Sequence, residues 1–137
     1  MEVYHIMLLA DDWKEYELID TGNGEKLERW GTYVLRRPDP QIIWPINDKK
    51  DLWDKADAHY HRSSSGGGKW EYKKKLPERW KISYKGMSFN IEPTGFKHTG
   101  LFPEQAVNWS WMMDKIRSAK KPPNILNLFA YTGGATV

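Results

Sequence analysis

Cysteine is absent from this chain, which removes disulfide cross-links, thiolate metal ligands and cysteine nucleophiles, and makes a reducing, cytoplasmic setting the default expectation. Long hydrophobic runs are absent too. The apolar stretch near the start, His5 to Ala10, is too short for a membrane span and lacks the basic flank of a secretory leader, so a soluble protein without a membrane partner is expected. A dominant charge of one sign is also missing: 21 Lys and Arg stand against 18 Asp and Glu, for a net charge of +3.

The charge that is present is unevenly placed. Residues 1–53 carry 7 Lys or Arg against 11 Asp or Glu, and residues 54–137 carry 14 against 7. The second half could face nucleic acid, but positive charge this dilute reads first as a solvated surface. The 137 residues suffice for one ordinary domain.

Along the first half, residues 13–44 show the pattern of a small antiparallel sheet. Tyr16 to Asp20 and Lys26 to Trp30 flank Thr21-Gly22-Asn23-Gly24, a turn rich in residues that tolerate positive φ. A third β-rich stretch runs from Thr32 to Arg36. Pro38, Pro40 and Pro45 then bracket Gln41 to Trp44 as a short edge segment. From Asn47 to Tyr60 a short helix is expected, with Asp48 or Asp51 as cap and Leu52, Trp53, Ala56 and Tyr60 near helical spacing. His59 and His61 form a His-x-His pair with no third ligand evident in the sequence, so structural or surface histidines are the default and no metal site is expected.

Ser63-Ser64-Ser65-Gly66-Gly67-Gly68 is the low-complexity piece. Its composition reads as a flexible loop or linker, with a domain boundary near 62–70. Phosphate held between Arg62 and Lys69 is the disfavoured alternative, since no helix pattern follows to supply a dipole. Residues 69–93 return to β character, with Lys73-Lys74-Lys75 at one end and Ile82 and Tyr84 mirrored by Phe89 and Ile91 across Lys85 to Ser88. Aromatics interleaved with lysines can stack on unpaired bases. A half-buried sheet produces the same alternation, and that is the preferred reading.

Pro103 suits the first position of a helix whose apolar face would be Ala106, Trp109, Met112, Met113 and Ile116. Arg117, Lys120 and Lys121 favour its end, and Pro122-Pro123 stops it. The last stretch, Ile125 to Val137, passes from an apolar run into Tyr131-Thr132-Gly133-Gly134 and then into small residues able to start a helix. Strand, glycine turn and helix start make the first half of a βαβ unit, where a ligand can lie against bare backbone near free amides. The glycines are adjacent and no Lys follows them, so neither the P-loop spacing nor the dinucleotide fingerprint fits.

These residues resemble motif I of the class I S-adenosylmethionine-dependent methyltransferases, in the form N-x-F-[AS]-Y-T-G-G found in bacterial enzymes related to the 23S ribosomal RNA cytosine-C5 methyltransferases. A second motif agrees in kind and order: Thr99-Gly100-Leu101-Phe102-Pro103-Glu104-Gln105 is similar to the family's T-G-x-[FY]-x-[DE]-Q segment, one helix ahead of motif I. Leu27 to Gly31 and Arg36 to Pro40 are similar to the N-terminal β-domain of the same family. Ala106 stands where the ribosomal RNA enzymes have Arg, a departure that bears on the RNA substrate more than on the cofactor.

The resemblance implies an α+β chain. Residues 1–93 would form an antiparallel β-rich domain, and residues 94–137 a helix and the first strand of an incomplete Rossmann-like domain binding S-adenosylmethionine. It implies Thr99, Phe102, Gln105, Phe129, Tyr131, Thr132, Gly133 and Gly134 as cofactor-proximal positions, with Phe129 packing beneath the cofactor, and RNA as a candidate substrate. Further strands are expected to follow Val137, together with the family's substrate-side Asp-Pro-Pro loop. No catalytic base or nucleophile is therefore assigned, the present chain alone is expected to be inactive, and residues 124–130 should be poorly ordered or borrow contacts. A noncatalytic, basic, nucleic-acid-binding β module and an interaction scaffold are the rival readings.

Overall fold

The computed structural model describes residues 8–46 and 50–137. The chain divides into two compact units, one spanning Trp13–Leu101 and the other combining Phe102–Val137 with the residues before Trp13.

In the larger unit, β1 (Tyr16–Gly22), β2 (Glu25–Trp30), β3 (Tyr33–Pro38), β4 (Ala58–Arg62) and β5 (Gly68–Tyr72) form a five-stranded sheet in chain order. All neighbours are antiparallel except β3 and β4, which run parallel through Leu35↔Ala58 and Arg36↔His59. The sheet is therefore mixed, where an all-antiparallel one was expected. A parallel neighbour needs a crossover, and residues 39–57 supply it with the short helix α1 (Lys50–Asp54) inside. A second ribbon pairs β6 (Trp80–Tyr84) with β7 (Met87–Ile91).

Two turns are dictated by backbone chemistry. Asn23 and Gly24 between β1 and β2 have φ of 52° and 75°, and Lys85 and Gly86 between β6 and β7 have 46° and 86°. Positive φ at both central residues matches the twist of the flanking strands, which is why two-residue hairpins favour Asn and Gly. Met87 and Ser88, expected in the second turn, instead belong to β7 and pair with Tyr84 and Ser83.

Alternation along β2 gives the sheet two filled faces. Leu27 is wholly buried in a cluster with Trp53 and Ala56, flanked by Ile19, Val34 and Ile46. Trp30 faces the other way and is equally buried. Its ring meets Tyr16 at 4.7 Å, and its carbonyl accepts a 3.0 Å bond from Trp80 Nε1 on the second ribbon. Trp13 bridges further, lying 4.5 Å from Tyr84 and 6.3 Å from Phe89.

The helix expected over 47–60 is much shorter. Residues 47–49, including the cap candidate Asp48, lie outside the described residues. Helix α1 stops at Asp54 because Asp57 is recruited by strands: its amide donates to Val34 O at 2.7 Å and its Oδ2 accepts from the Val34 amide at 2.8 Å. Lys73 and Lys74 amides also donate to Asp57 O. Ala58 and Tyr60 consequently lie in β4. Sheet bonding on this scale overrides a weak helical propensity.

The Ser/Gly stretch 63–68 joins β4 to β5, whose residues pair with each other from Ala58↔Tyr72 to Arg62↔Gly68. It is a hairpin tip, closed by Ser63 N to Gly67 O at 3.1 Å, and so a loop rather than a linker, the two forms its composition allowed. Gln41 to Trp44 forms no strand, although Ile42 O and Trp44 O accept bonds from the Gly24 and Asn23 amides.

In the smaller unit, Pro103–Gln105 forms one 3-10 turn leading into α2 (Ala106–Ser118), with Pro103 at its first position as expected. Of the anticipated apolar face, Ala106 and Trp109 are buried, Met112 and Met113 are half-buried, and Ile116 is exposed. Residues 124–130 contain no regular strand. Strands exist through ladder bonds to a neighbour, and among the described residues nothing pairs with this segment.

Candidate functional site

The smaller unit holds Phe102 to Gln105 of the first motif together with Tyr131 to Gly134 of the second, while Thr99 to Leu101 fall in the larger unit. Phe102, just before the 3-10 turn, places its ring 5.0 Å from that of Tyr131 at an interplanar angle of 40°. Tyr131 and Gly133 both carry positive φ, 49° and 94°. Gly133 N donates to Ala130 O at 2.8 Å, and Gly133 O receives the amides of Thr136 at 2.8 Å and Val137 at 3.3 Å. The chain thus reverses at Gly133 and closes a single turn after it. A helix start was expected here, and one turn is what has formed.

Side chains brace this loop. Asn127 Nδ2 donates to Thr136 Oγ1 at 2.9 Å, while its Oδ1 accepts from the Phe129 amide at 3.3 Å. One Asn therefore clasps both ends of the glycine turn. An Asn at the mouth of a turn is the signal that sequence reasoning could have used to single it out. A Cβ added at Gly133 would stand in open space. Among the described residues, the amides of Gly134 and Ala135 donate to no acceptor. Bare backbone and unclaimed N–H groups suit the amino-acid end of S-adenosylmethionine, whose carboxylate needs donors.

The remaining expected positions are less uniform. Gln105 is exposed and accepts a 2.8 Å bond from Asn108 Nδ2 on the next helical turn. Thr132 is exposed. Phe129 is 91% exposed. Thr99 belongs to the larger unit, where it is wholly buried. Its carbonyl accepts from the Glu92 amide at 3.2 Å, and its hydroxyl has no hydrogen-bond partner.

The larger unit fixes the loop that carries Thr99. Arg37 Nη1 donates to Lys97 O at 2.8 Å, Trp70 Nε1 to Thr94 O at 2.8 Å and Tyr60 Oη to Gly95 O at 3.2 Å. Arg37 is itself anchored by Glu28, which is fully buried. Burial pushes the Glu28 carboxyl up, but the charge and hydrogen bonds of Arg37, with help from Lys26 and Tyr16, outweigh this and hold it below the ordinary carboxylate value. Nothing in the spacing of the sequence pointed to this pair.

A second correction concerns the histidines. A carboxylate does stand beside His59 and His61: Glu71 of β5 faces His59 across the strand pair, and one nitrogen or oxygen atom from each of the three side chains lies within 4.8 Å of the others. Sequence distance hides Glu71 from the pair, because the Ser/Gly stretch between them reads as a flexible loop or linker.

No protein-family model matches the chain. Over 52 residues it is 44% identical to the protein named ribosomal RNA large subunit methyltransferase K/L from Shewanella frigidimarina, a match covering 38% of this chain and 7% of that protein. A crystal structure of a SAM-dependent methyltransferase from Agrobacterium tumefaciens matches 90% of this chain with a TM-score of 0.83 and 40% identity. The chain is a relative of the S-adenosylmethionine-dependent methyltransferases. It is related to the group that includes the large-subunit ribosomal RNA enzymes. It spans 39% of its Agrobacterium methyltransferase relative and a far smaller part of the Shewanella one. The chain is a mixed α+β, sheet-rich protein, and no described helix is long and apolar enough to cross a membrane.

Proposed function

We propose that this chain serves S-adenosylmethionine-dependent methylation of RNA, with residues 94–137 forming the front of the cofactor site and the first part of a Rossmann-like domain, and residues 1–93 a β-rich accessory domain. The observation that carries the reading is the Phe102–Tyr131 contact, which sets one residue of each motif side by side within the smaller unit. Similarity to a protein named as a ribosomal RNA methyltransferase supports the substrate class.

When bound, the cofactor supplies an electrophilic methyl group on sulfonium sulfur. The work of this chain is then alignment and electrostatics. Gly133 and Gly134 would admit the amino-acid end of the cofactor, and the amides of Gly134 and Ala135 would be donors for its carboxylate. Tyr131 and Phe102 form an aromatic wall beside it, Gln105 and Thr132 offer polar contacts from the exposed side, and Asn127 holds the turn in shape. Thr99 acts as a fixed point in the loop leading to Phe102. The residues that activate the RNA are not assigned to this chain.

The reading is tested by calorimetric titration of S-adenosylmethionine into the natural polypeptide that carries this chain. Gly133→Val is expected to abolish binding, because a branched side chain enters the space the ligand needs and because φ near 94° disfavours any L side chain. Unchanged affinity in a variant with an unaltered circular-dichroism spectrum removes the assignment.

A further inference from the structure

The face of β4 and β5 carries a cluster that methyl transfer does not use. His59 and His61 stand two residues apart on β4, so both rings project from the same side of the sheet, with centroids 4.0 Å apart. Glu71 is the direct cross-strand partner of His59 and reaches diagonally to His61, whose Nε2 it meets at 2.6 Å. Behind them, Glu25 on β2 holds His59 Nε2 at 2.7 Å and is itself bound by Arg36 Nε at 2.8 Å.

We propose that His59, His61 and Glu71 form a binding site for a divalent transition-metal ion, zinc foremost, on the five-stranded sheet of this protein. The inference is independent of the methyltransferase reading.

Two imidazoles and one carboxylate are a ligand set zinc accepts, with a fourth position left to water. Bonds of about 2.0–2.2 Å place tetrahedral donors about 3.3 Å apart. The present spread, within 4.8 Å, closes to that by rotation of side chains on a backbone the ladder already fixes. Hydrogen bonding alone explains each His–Glu pair separately. Period-two placement on β4 and pairing with β5 bring both imidazoles and the carboxylate into one small volume, where a single cation can reach all three. Glu25 would then orient the His59 ring, the carboxylate-on-histidine support common behind metal ligands. The Arg36 charge is already committed to Glu25. Lys69, opposite His61, is exposed and its long stem lets the ammonium turn to water. Hard oxygen-seeking cations such as magnesium suit the set poorly, since two of three donors are nitrogen.

The test is calorimetric titration of zinc chloride into the whole chain after chelator treatment and desalting, with cobalt(II) absorption as a second readout. One saturable site per chain is expected, with cobalt giving the intense visible bands of a low-coordinate ion. His61→Ala and Glu71→Gln, both at side chains more than 40% exposed and so harmless to folding, are expected to weaken zinc binding by about tenfold or more. His98→Ala is expected to leave it unchanged. No saturable uptake by the wild-type chain, a cobalt spectrum like that of the aqueous ion, or full binding in both His61→Ala and Glu71→Gln overturns the proposal. Metal-free circular dichroism of each variant separates lost ligation from lost fold.

Discussion

Arg37 grips Glu28 with two hydrogen bonds, Nε to Oε2 at 2.6 Å and Nη2 to Oε1 at 2.8 Å, at a place where neither residue is more than 5% exposed. The pair sits above the Trp30 ring, with the guanidinium carbon 5.3 Å from its centroid, and hands the remaining Arg37 nitrogen to Lys97 O. A buried charge with its partner removed is costly, so Glu28→Gln is expected to lower unfolding free energy by about 3–5 kcal/mol. Urea denaturation checks this, and a loss under 1 kcal/mol would show that Arg37 finds other neutralisation. The apolar double replacement Glu28→Met with Arg37→Leu should cost much less than the single change, since it leaves no orphaned charge.

The same pair sets an acid limit. The folded-state pKa of Glu28 is held below its ordinary value of 4.5. The unfolded chain therefore binds the proton more readily, and the stabilisation is complete above pH 4.5 and disappears as pH falls through the folded value. Chemical denaturation repeated across pH 6 to 3 should show a decline that Glu28→Gln flattens. Equal slopes in both proteins would assign the acid sensitivity elsewhere.

How far the sequence reveals this fold depends on how local each cause is. The hairpins around Asn23-Gly24 and Lys85-Gly86 are legible because turn chemistry and period-two patterning act within ten residues. The β4–β5 hairpin is not, because Ser/Gly composition is the same in a tip and in a tether, and only pairing decides. Residues 50–60 mislead for a related reason: apolar spacing there satisfies a helix, while Asp57 is claimed by Val34 and by the amides of Lys73 and Lys74. The site divides the same way. Tyr131 to Gly134 announces itself by the glycines and Asn127 by its place at the mouth of that turn, whereas Glu71 matters through partners the sequence does not place beside it.

Close approach makes Gly68 irreplaceable. A Cβ there would lie 2.2 Å from His61 O and 2.7 Å from the Tyr60 ring. Backbone cannot yield cheaply, so Gly68→Ala should destabilise the protein by about 1–3 kcal/mol through overpacking. Thermal unfolding monitored by circular dichroism reads the effect, and an unchanged midpoint would mean that the strand end frays at no cost.

The Phe102–Tyr131 contact can be weighed directly. A double-mutant cycle with Phe102→Ala and Tyr131→Ala should return a coupling of about 0.5–1.5 kcal/mol, the range for aromatic pairs. Zero coupling in unfolding would indicate that the two motifs meet without holding each other, and would weaken the case for a shared cofactor wall.

In the core, Trp30 is among the largest fully buried side chains. Its replacement by alanine is expected to cost about 3–5 kcal/mol, or to prevent folding. Trp30→Phe, which keeps the ring beside Tyr16, should recover most of that in the same urea experiment. Failure of phenylalanine to rescue would point to a requirement for the full indole volume.

Gly66 and Gly67, at the summit of the β4–β5 hairpin, have nothing within 4 Å of where a side chain would begin. Loop closure grows only slowly more costly with length. This summit is therefore a natural graft point, where an affinity epitope or a fluorophore can be spliced in to immobilise or track the protein from a position the buried pairs never touch.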